Sequence, residues 1–278
     1  LELSRDCNAK CPFCRNNSFR KNNYDLEQIK NTLYMIKDYI NAVIIGGGEP
    51  TLKLNDVKEL HKNFLDSRID WHMFTNGTSK SLINDDYIMD NFKINLSRHA
   101  IDDKENCSIF NANLENMMSI SDIEKLNARN QQVTLNATCF KGGLDSFEKI
   151  IEYISFAKNI GCQKVLIQDL QTDTSLGCRN IKYDNMCIDS SVFEQLLEYL
   201  NSYYKSKYPI YATGGYISYL FKDKDQFSVA IQKYISPEAL KDGWLSTVKR
   251  VFDLSIDPSG NLYENWNQID GLVKKLKK

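Results

Sequence analysis

Six β-rich runs alternate with amphipathic helical stretches along the first 170 residues, and this rhythm restricts the fold more than any other feature of the chain. The runs are Leu1–Ser4, Ala42–Ile45, Trp71–Thr75, Phe92–Ser97, Val133–Thr138 and Lys164–Gln168. Helical patterns lie between them near Leu26–Tyr39, Val57–Phe64, Leu82–Met89, Leu114–Asn127 and Phe147–Lys158. Two parallel strands need a long crossover, usually a helix, so this alternation predicts βα units around a parallel sheet. Six of them predict an α/β fold of the partial (β/α)6 barrel kind, in preference to a doubly wound sheet. Asn55 and Asp56 stand where N-caps of the second helix are expected, Ser146 where that of the fifth is, and Gly161 follows the fifth helix as a C-cap.

After Gln168 the rhythm breaks. Asp169–Asp189 reads as a long loop, Val192–Tyr203 as a helix, and the pattern from Pro209 is mixed. The segment VFDLSIDPSGNLYENWN reads as a hairpin turning at Pro258–Asn261, and the tail KKLKK as a solvated helix end. The expected organisation is a barrel over 1–170 with an extension over 171–278 packed on it, not an independent domain. Hydrophobic residues make up 42% and charged residues 26%, an ordinary globular balance. The net charge of −1 excludes a general pull toward nucleic acid or a membrane surface, and apolar runs such as Ala42–Ile45 are far too short to span a bilayer. The chain opens at Leu1 inside an apparent strand, so further sequence is expected upstream.

Eight cysteines fall unevenly: Cys7, Cys11 and Cys14 are bunched, while Cys107, Cys139, Cys162, Cys178 and Cys187 are scattered. A chain of this length needs no disulfide scaffold, and bunched thiols suggest a reducing compartment, with the cytoplasm as the expected location. Three thiols right after the first strand admit two readings. An iron site with one coordination position open is the first, and a zinc knuckle that borrows a fourth ligand is the second. After the second strand comes IIGGGEPTL, whose glycines let backbone approach a ligand closely.

Together these motifs resemble those of the radical S-adenosylmethionine (SAM) superfamily. Cys7–x3–Cys11–x2–Cys14, with Phe13 before the last cysteine, matches its cluster motif, and Gly47–Gly48–Glu49–Pro50 matches its glycine motif. FTNGT at Phe74–Thr78 looks like the third-strand turn of the superfamily. KINLSRHAIDDKE and LNATCFKGGLDSFEKII resemble the fourth and fifth strands of the branch containing the molybdenum-cofactor GTP cyclase, with Ser97, Asn136 and Lys141 at matching places. The resemblance implies that Cys7, Cys11 and Cys14 bind one 4Fe–4S cluster. It implies that Phe13, Gly47, Gly48, Glu49, Pro50, Asn76, Ser97 and Asn136 contribute to SAM binding. It also implies reductive cleavage of SAM to methionine and a 5′-deoxyadenosyl radical, with a flavodoxin- or ferredoxin-type electron donor. The chain departs from the cyclase in having no cysteine after Cys187, with Asn265 near the place of an auxiliary-cluster cysteine, and in lacking the cyclase's glycine- and arginine-rich tail. GTP cyclisation and a second cluster are therefore not expected.

Alternation supports a polar interior independently. Asn95, Ser97 and His99 share one strand face, as do Thr134, Asn136 and Thr138; such rows suit a barrel that encloses a polar ligand, and also suit strand ends reaching solvent. Arg98, His99 and Asp169, near the C-terminal rim, are candidate substrate contacts or catalytic residues. Arg98–His99 also departs from the cyclase branch, which has an aliphatic residue and Asp there. The expected substrate is a small polar or nucleotide-like molecule. A ribosomally made peptide is the alternative, because peptide-modifying relatives carry a related C-terminal extension. A non-catalytic cluster- or SAM-binding regulator is a third reading, against which the intact glycine motif argues.

Overall fold

The structure, a computed structural model, describes residues 1–14, 23–65, 68–129, 131, 133–170, 185–204, 206–213, 216–234, 254–263 and 272–274. The predicted loop over 171–184, Cys178, Asn265 and residues 275–278 of the tail lie outside them.

The six predicted strands form as β1 (Glu2–Ser4), β2 (Ala42–Gly47), β3 (Asp70–Thr75), β4 (Lys93–Ser97), β5 (Val133–Cys139) and β6 (Lys164–Asp169). Each pairs parallel with the next, in the order 1-2-3-4-5-6. A doubly wound sheet would reverse direction at a switch point, so this unreversed order is the barrel arrangement. Helices α1 (Leu26–Ile36), α2 (Leu54–Lys62), α3 (Asp86–Asn91), α4 (Asp103–Phe110), α5 (Ile120–Ala128) and α6 (Phe147–Asn159) make the crossovers. The odd-numbered residues Val43, Ile45, Met73, Leu135, Val165 and Ile167 are buried in one core with Leu33, Leu60, Ile123, Ile150 and Ile154 of the helices. Their strand neighbours Ile44, Phe74, Asn95, Ser97, Thr134, Thr138, Leu166 and Gln168 point to the opposite, inner face, where they are half-buried or exposed. This is the division expected of a barrel wall with helices outside and a ligand-sized space inside.

Several local expectations are corrected. Asn55 and Asp56 do not cap α2. They lie in its first turn, because Pro50–Lys53 already forms a tight helical turn started by Glu49, whose carboxylate accepts from Thr51 N. Ser146 does cap α6, and Gly161 follows that helix at φ +79°. Helix α4 escapes a hydrophobic pattern search because only Asn106, Cys107 and Phe110 of its eight residues turn inward. The predicted helix over Leu114–Asn127 begins later, at Ile120, behind a Ser119–Asp122 capping box.

The wall does not end at β6. After α7 (Ser190–Tyr203), strands β7 (Ser206–Thr213), β8 (Tyr216–Lys222) and β9 (Ser228–Tyr234) extend it in the order β6-β9-β8-β7. β9 runs parallel to β6, and β8 antiparallel to both its neighbours. The segment from Pro209, expected to be mixed, is thus strand; Pro209 sits at a register irregularity of β7, the edge strand, where a missing N–H is tolerated. The predicted hairpin forms from β10 (Ser255–Ile256) and β11 (Leu262–Tyr263), joined by β12 (Leu272–Lys274), which pairs antiparallel with β11. Asp257 organises its turn by accepting from Ser259 N and Asn261 N, each at 2.9 Å. Thr32 Oγ1 and Asp25 N then hold Gly260 O and Pro258 O, which docks the hairpin on α1.

Candidate active site

The cysteine loop leaves β1 at Ser4 and is held from three directions. The first hold is the glycine strand. Gly48 N donates to Ser4 O and Glu49 N to Asp6 O, both at 2.7 Å. A Cβ on Gly47 (φ +109°) would lie 2.4 Å from Ser4 O, and one on Gly48 only 2.0 Å from Asp6 O. Glycine is required at both positions by the closeness of the loop's own backbone. Gly46 differs: nothing lies within 4 Å of where its Cβ would be, so it leaves open space.

The second hold is the turn after β3. Glu49 is only 1% exposed, and its carboxylate is fully engaged by the chain. Oε1 accepts from Thr51 N, Thr51 Oγ1 and Thr75 Oγ1, and Oε2 from Asn76 N at 2.8 Å. Burial raises the Glu49 pKa, and these donors oppose that shift. Glu49, expected to contribute to SAM binding, thus also latches the glycine strand to the β3 turn. Asn76 is committed as well: its Nδ2 donates to Asn8 Oδ1 (3.2 Å) and faces Cys7 Sγ (3.6 Å), while its Oδ1 accepts from Thr78 N (2.9 Å).

The third hold is the rim of β4 and β5. Lys10 N donates to Phe110 O at 2.8 Å, and Ala9 and Cys11 pack against Cys107, Phe110 and Met117. Phe13 meets the ring of His99 edge-on at 4.9 Å and that of Phe140 at 4.7 Å. His99 accepts at Nδ1 from Thr138 N (3.0 Å) and donates its own N–H to Asn106 Oδ1 (2.7 Å), which places its ring proton on Nε2. His99 therefore ties β4, β5 and α4 to the cysteine loop. Burial lowers its pKa to about 3.

A stability prediction follows from that burial. Between about pH 6.5 and pH 3 the unfolded chain protonates His99 and the folded chain does not, so this group's contribution falls as the pH drops, by about 1.4 kcal/mol per unit. At pH 7, His99→Phe should cost about 1–3 kcal/mol by stranding the Thr138 N–H. At pH 5 the gap to wild type should shrink by about 2 kcal/mol, because the variant has lost the acid-sensitive group. Urea unfolding at both pH values measures this, and an unchanged gap would overturn it.

Two expected substrate contacts are placed elsewhere. Arg98, 1% exposed, donates to Ile101 O, pairs with Asp103 Oδ1 at 2.7 Å and lies over the ring of Phe156 of α6. Tyr153 of α6 donates to its carbonyl, so Arg98 belongs to the helix side of the wall. Asp169 shares strand parity with Val165 and Ile167, which are buried in the core, rather than with the inner-face residues Leu166 and Gln168. Both corrections follow from alternation, which a rim position alone does not specify. The scattered Cys107, Cys139 and Cys162 are buried, and Cys187 packs near Phe13, Phe140 and Leu170.

Ser97 and Asn136 do reach the inner face as neighbours in register. Asn136 is 7% exposed, yet neither its amide oxygen nor its nitrogen has a hydrogen-bond partner. A buried amide left with four unused bonding positions calls for a polar ligand. Cys7, Cys11 and Cys14 are close enough to act on one another electrostatically, and burial together with that repulsion pushes the Cys11 thiol up to about 12. Among the described residues no three His, Cys, Asp or Glu side chains converge tightly enough for a single metal ion. Sequence reading did not identify Asn8, Thr51, Thr75 or Thr78. The FTNGT turn contains Thr75 and Thr78, and the glycine motif runs on into Thr51.

The family model of the radical SAM superfamily matches residues 1–167, and the chain belongs to that superfamily. Its members bind a 4Fe–4S cluster and SAM, and the cysteine triplet and the orphaned Asn136 amide fit those groups. Two curated proteins of Methanocaldococcus jannaschii named "Putative glycyl-radical enzyme activating enzyme" are similar. MJ1227 is 34% identical over 80 residues, covering 28% of this chain and 32% of its own. MJ1632 is 27% identical over 159 residues, covering 55% of this chain and 61% of its own. The chain thus spans less than two thirds of either relative. Among solved structures, Streptococcus suis SuiB bound to SAM superposes with a TM-score of 0.63 at 19% identity, covering 94% of this chain and 58% of SuiB. SuiB bound to its precursor peptide SuiA gives 0.58 at 23% identity, covering 73% and 44%. These structures share the partial-barrel fold. No helix among the described residues is long and apolar enough to cross a membrane.

Proposed function

We propose that this chain reductively cleaves SAM and uses the resulting radical to take hydrogen from a polypeptide substrate. The observation that carries the reading is the orphaned, buried Asn136 amide beside Ser97 on the inner face of the sheet. It lies two residues along the neighbouring strand from His99, whose ring touches Phe13 of the cysteine loop. When bound, the cluster supplies one electron and SAM supplies the 5′-deoxyadenosyl radical. The chain's share is to hold Cys7, Cys11 and Cys14 through the three sets of contacts, and to orient SAM by the polar atoms of Ser97 and Asn136. The unfilled space beside Gly46 gives the bound molecule room at the strand end. A flavodoxin- or ferredoxin-type protein is the proposed electron source.

The relatives support a polypeptide substrate. An activating enzyme for a glycyl-radical enzyme has an enzyme as its target, and SuiB is held with a precursor peptide. The polar rows Asn95–Ser97 and Thr134–Thr138 favour a second reading, a small polar or nucleotide-like substrate of the cyclase-like branch. Incubating the reduced, reconstituted chain with SAM and either deuterated peptides or deuterated metabolites separates the two by which one transfers deuterium into 5′-deoxyadenosine. Absence of any SAM cleavage would leave the regulator reading in place of both. In the same assay Asn136→Ala should weaken SAM binding by about 1.5–3 kcal/mol, the worth of a hydrogen bond to a charged group. Unchanged affinity would remove Asn136 from the SAM site.

A further inference from the structure

We propose that Asn76 sets the reduction potential of the cluster, by donating an N–H to the sulfur of Cys7 and standing between that sulfur and the buried Glu49 carboxylate. The inference rests on cluster binding by Cys7, Cys11 and Cys14.

The geometry is specific. Asn76 links the carboxylate to the sulfur: its backbone N–H donates to Glu49 Oε2 at 2.8 Å, and its side-chain Nδ2 donates toward Cys7 Sγ at 3.6 Å. The side chain has little freedom to do otherwise. Its Oδ1 accepts from Thr78 N at 2.9 Å and from Thr78 Oγ1 at 2.5 Å, and this fixes which end of the amide faces the sulfur. Asn8 Oδ1 takes the remaining Nδ2 proton at 3.2 Å and, at 2.8 Å from Thr78 Oγ1, shares that hydroxyl's single proton with Asn76 Oδ1. Ala9 N adds a second donor to Cys7 Sγ at 3.4 Å. The carboxylate is close enough to Cys7 to oppose negative charge on its sulfur.

Reducing an iron–sulfur cluster adds negative charge that spreads onto its cysteine sulfurs. Donors aimed at those sulfurs favour the reduced form, and a nearby carboxylate disfavours it. Asn76 acts on both: it places positive N–H ends against the sulfur, and it takes up part of the Glu49 charge through the backbone. Because Asn76 does not itself hold iron, its role is to position and tune a ligand.

Asn76→Asp keeps an oxygen for the Thr78 donors but puts a second oxygen where the N–H faced the sulfur. Asn76→Leu removes the donor without adding charge. In the reconstituted chain, dye-mediated reductive titration followed by electron paramagnetic resonance reads the potential. At the wild-type midpoint, the ratio of reduced to oxidised cluster should fall at least tenfold in Asn76→Asp, about 59 mV for a one-electron couple. It should fall less, but measurably, in Asn76→Leu. Ratios within twofold of wild type in both variants would overturn the inference. A second readout is spectroscopic: in wild-type chain carrying side-chain ¹⁵N-asparagine, the reduced cluster's spin should couple to the amide nitrogen. No coupling, or coupling that survives in Asn76→Leu, would also overturn it. Failure of the wild type to take up a cluster would instead overturn the underlying assignment of Cys7, Cys11 and Cys14.

Discussion

Replacing Cys7, Cys11 or Cys14 by alanine should abolish formation of 5′-deoxyadenosine from SAM, and the triple replacement should leave almost no iron in the chain. Each thiolate is assigned one corner iron, so losing any one leaves two thiols to hold a four-iron cube. Of the other described cysteines, Cys107, Cys139 and Cys162 are buried, and Cys187, packed near Phe13, donates to Leu170 O. Burial and the neighbouring acids Asp169 and Asp145 raise the Cys139 thiol well above its ordinary value, so it stays protonated and a poor ligand. Anaerobic reconstitution followed by iron and sulfide analysis is the measurement, and wild type should carry about four irons, the content of one 4Fe–4S centre. About eight irons in wild type, with about four surviving in the triple variant, would reveal a second cluster. Normal cleavage by any single variant would remove that cysteine from the iron ligands.

Gly48→Ala should be nearly as damaging, although Gly48 carries no functional atom. The new methyl carbon would lie 2.0 Å from Asp6 O and 2.6 Å from Asp6 C, so the cysteine loop must move away from β2. Moving it breaks the bonds from Gly48 N to Ser4 O and from Glu49 N to Asp6 O, each worth about 1–3 kcal/mol when a buried partner is stranded. Cys7 follows Asp6 directly, so the displacement reaches the first ligand undamped. Iron uptake should fall below a tenth of wild type, read by the absorbance of the reconstituted cluster. Gly46→Ala is the internal control, since its Cβ meets nothing within 4 Å, and it should take up iron normally. Equal uptake in the two variants would show that the glycine strand does not hold the loop.

The contrast between Gly46 and Gly48 illustrates how much a one-dimensional reading holds. Three glycines in a row announce close backbone approach, but not which of the three needs it or what approaches. The thiol spacing and the six β-rich runs were legible because both are local. Spacing of a few residues sets which thiols can reach one cluster, and the period of two along a strand follows from backbone geometry alone. The inner polar rows were legible for the same reason, and Ser97 and Asn136 face inward as alternation predicts.

Relations between segments were not legible. Asp169 and Arg98 looked equivalent to His99 as rim residues, yet alternation and the Asp103 pair turn them to the helix side. Strand β9 lies next to β6 although α7, β7 and β8 separate them in the chain, an insertion no local pattern encodes. Helix α4 showed no apolar stripe because it buries one asparagine, one cysteine and one phenylalanine around a single loop. The meeting of Asn8, Glu49, Asn76 and Cys7 depends on the barrel wall bringing the ends of β1, β2 and β3 side by side. Each of those side chains is individually ordinary. Periodicity and spacing along the chain define the wall and the thiol ligands, because each is a property of a few consecutive residues. The side-by-side packing of the strands defines what surrounds those thiols, because hydrogen bonds and buried charge act across a few ångströms of space whatever the separation in sequence.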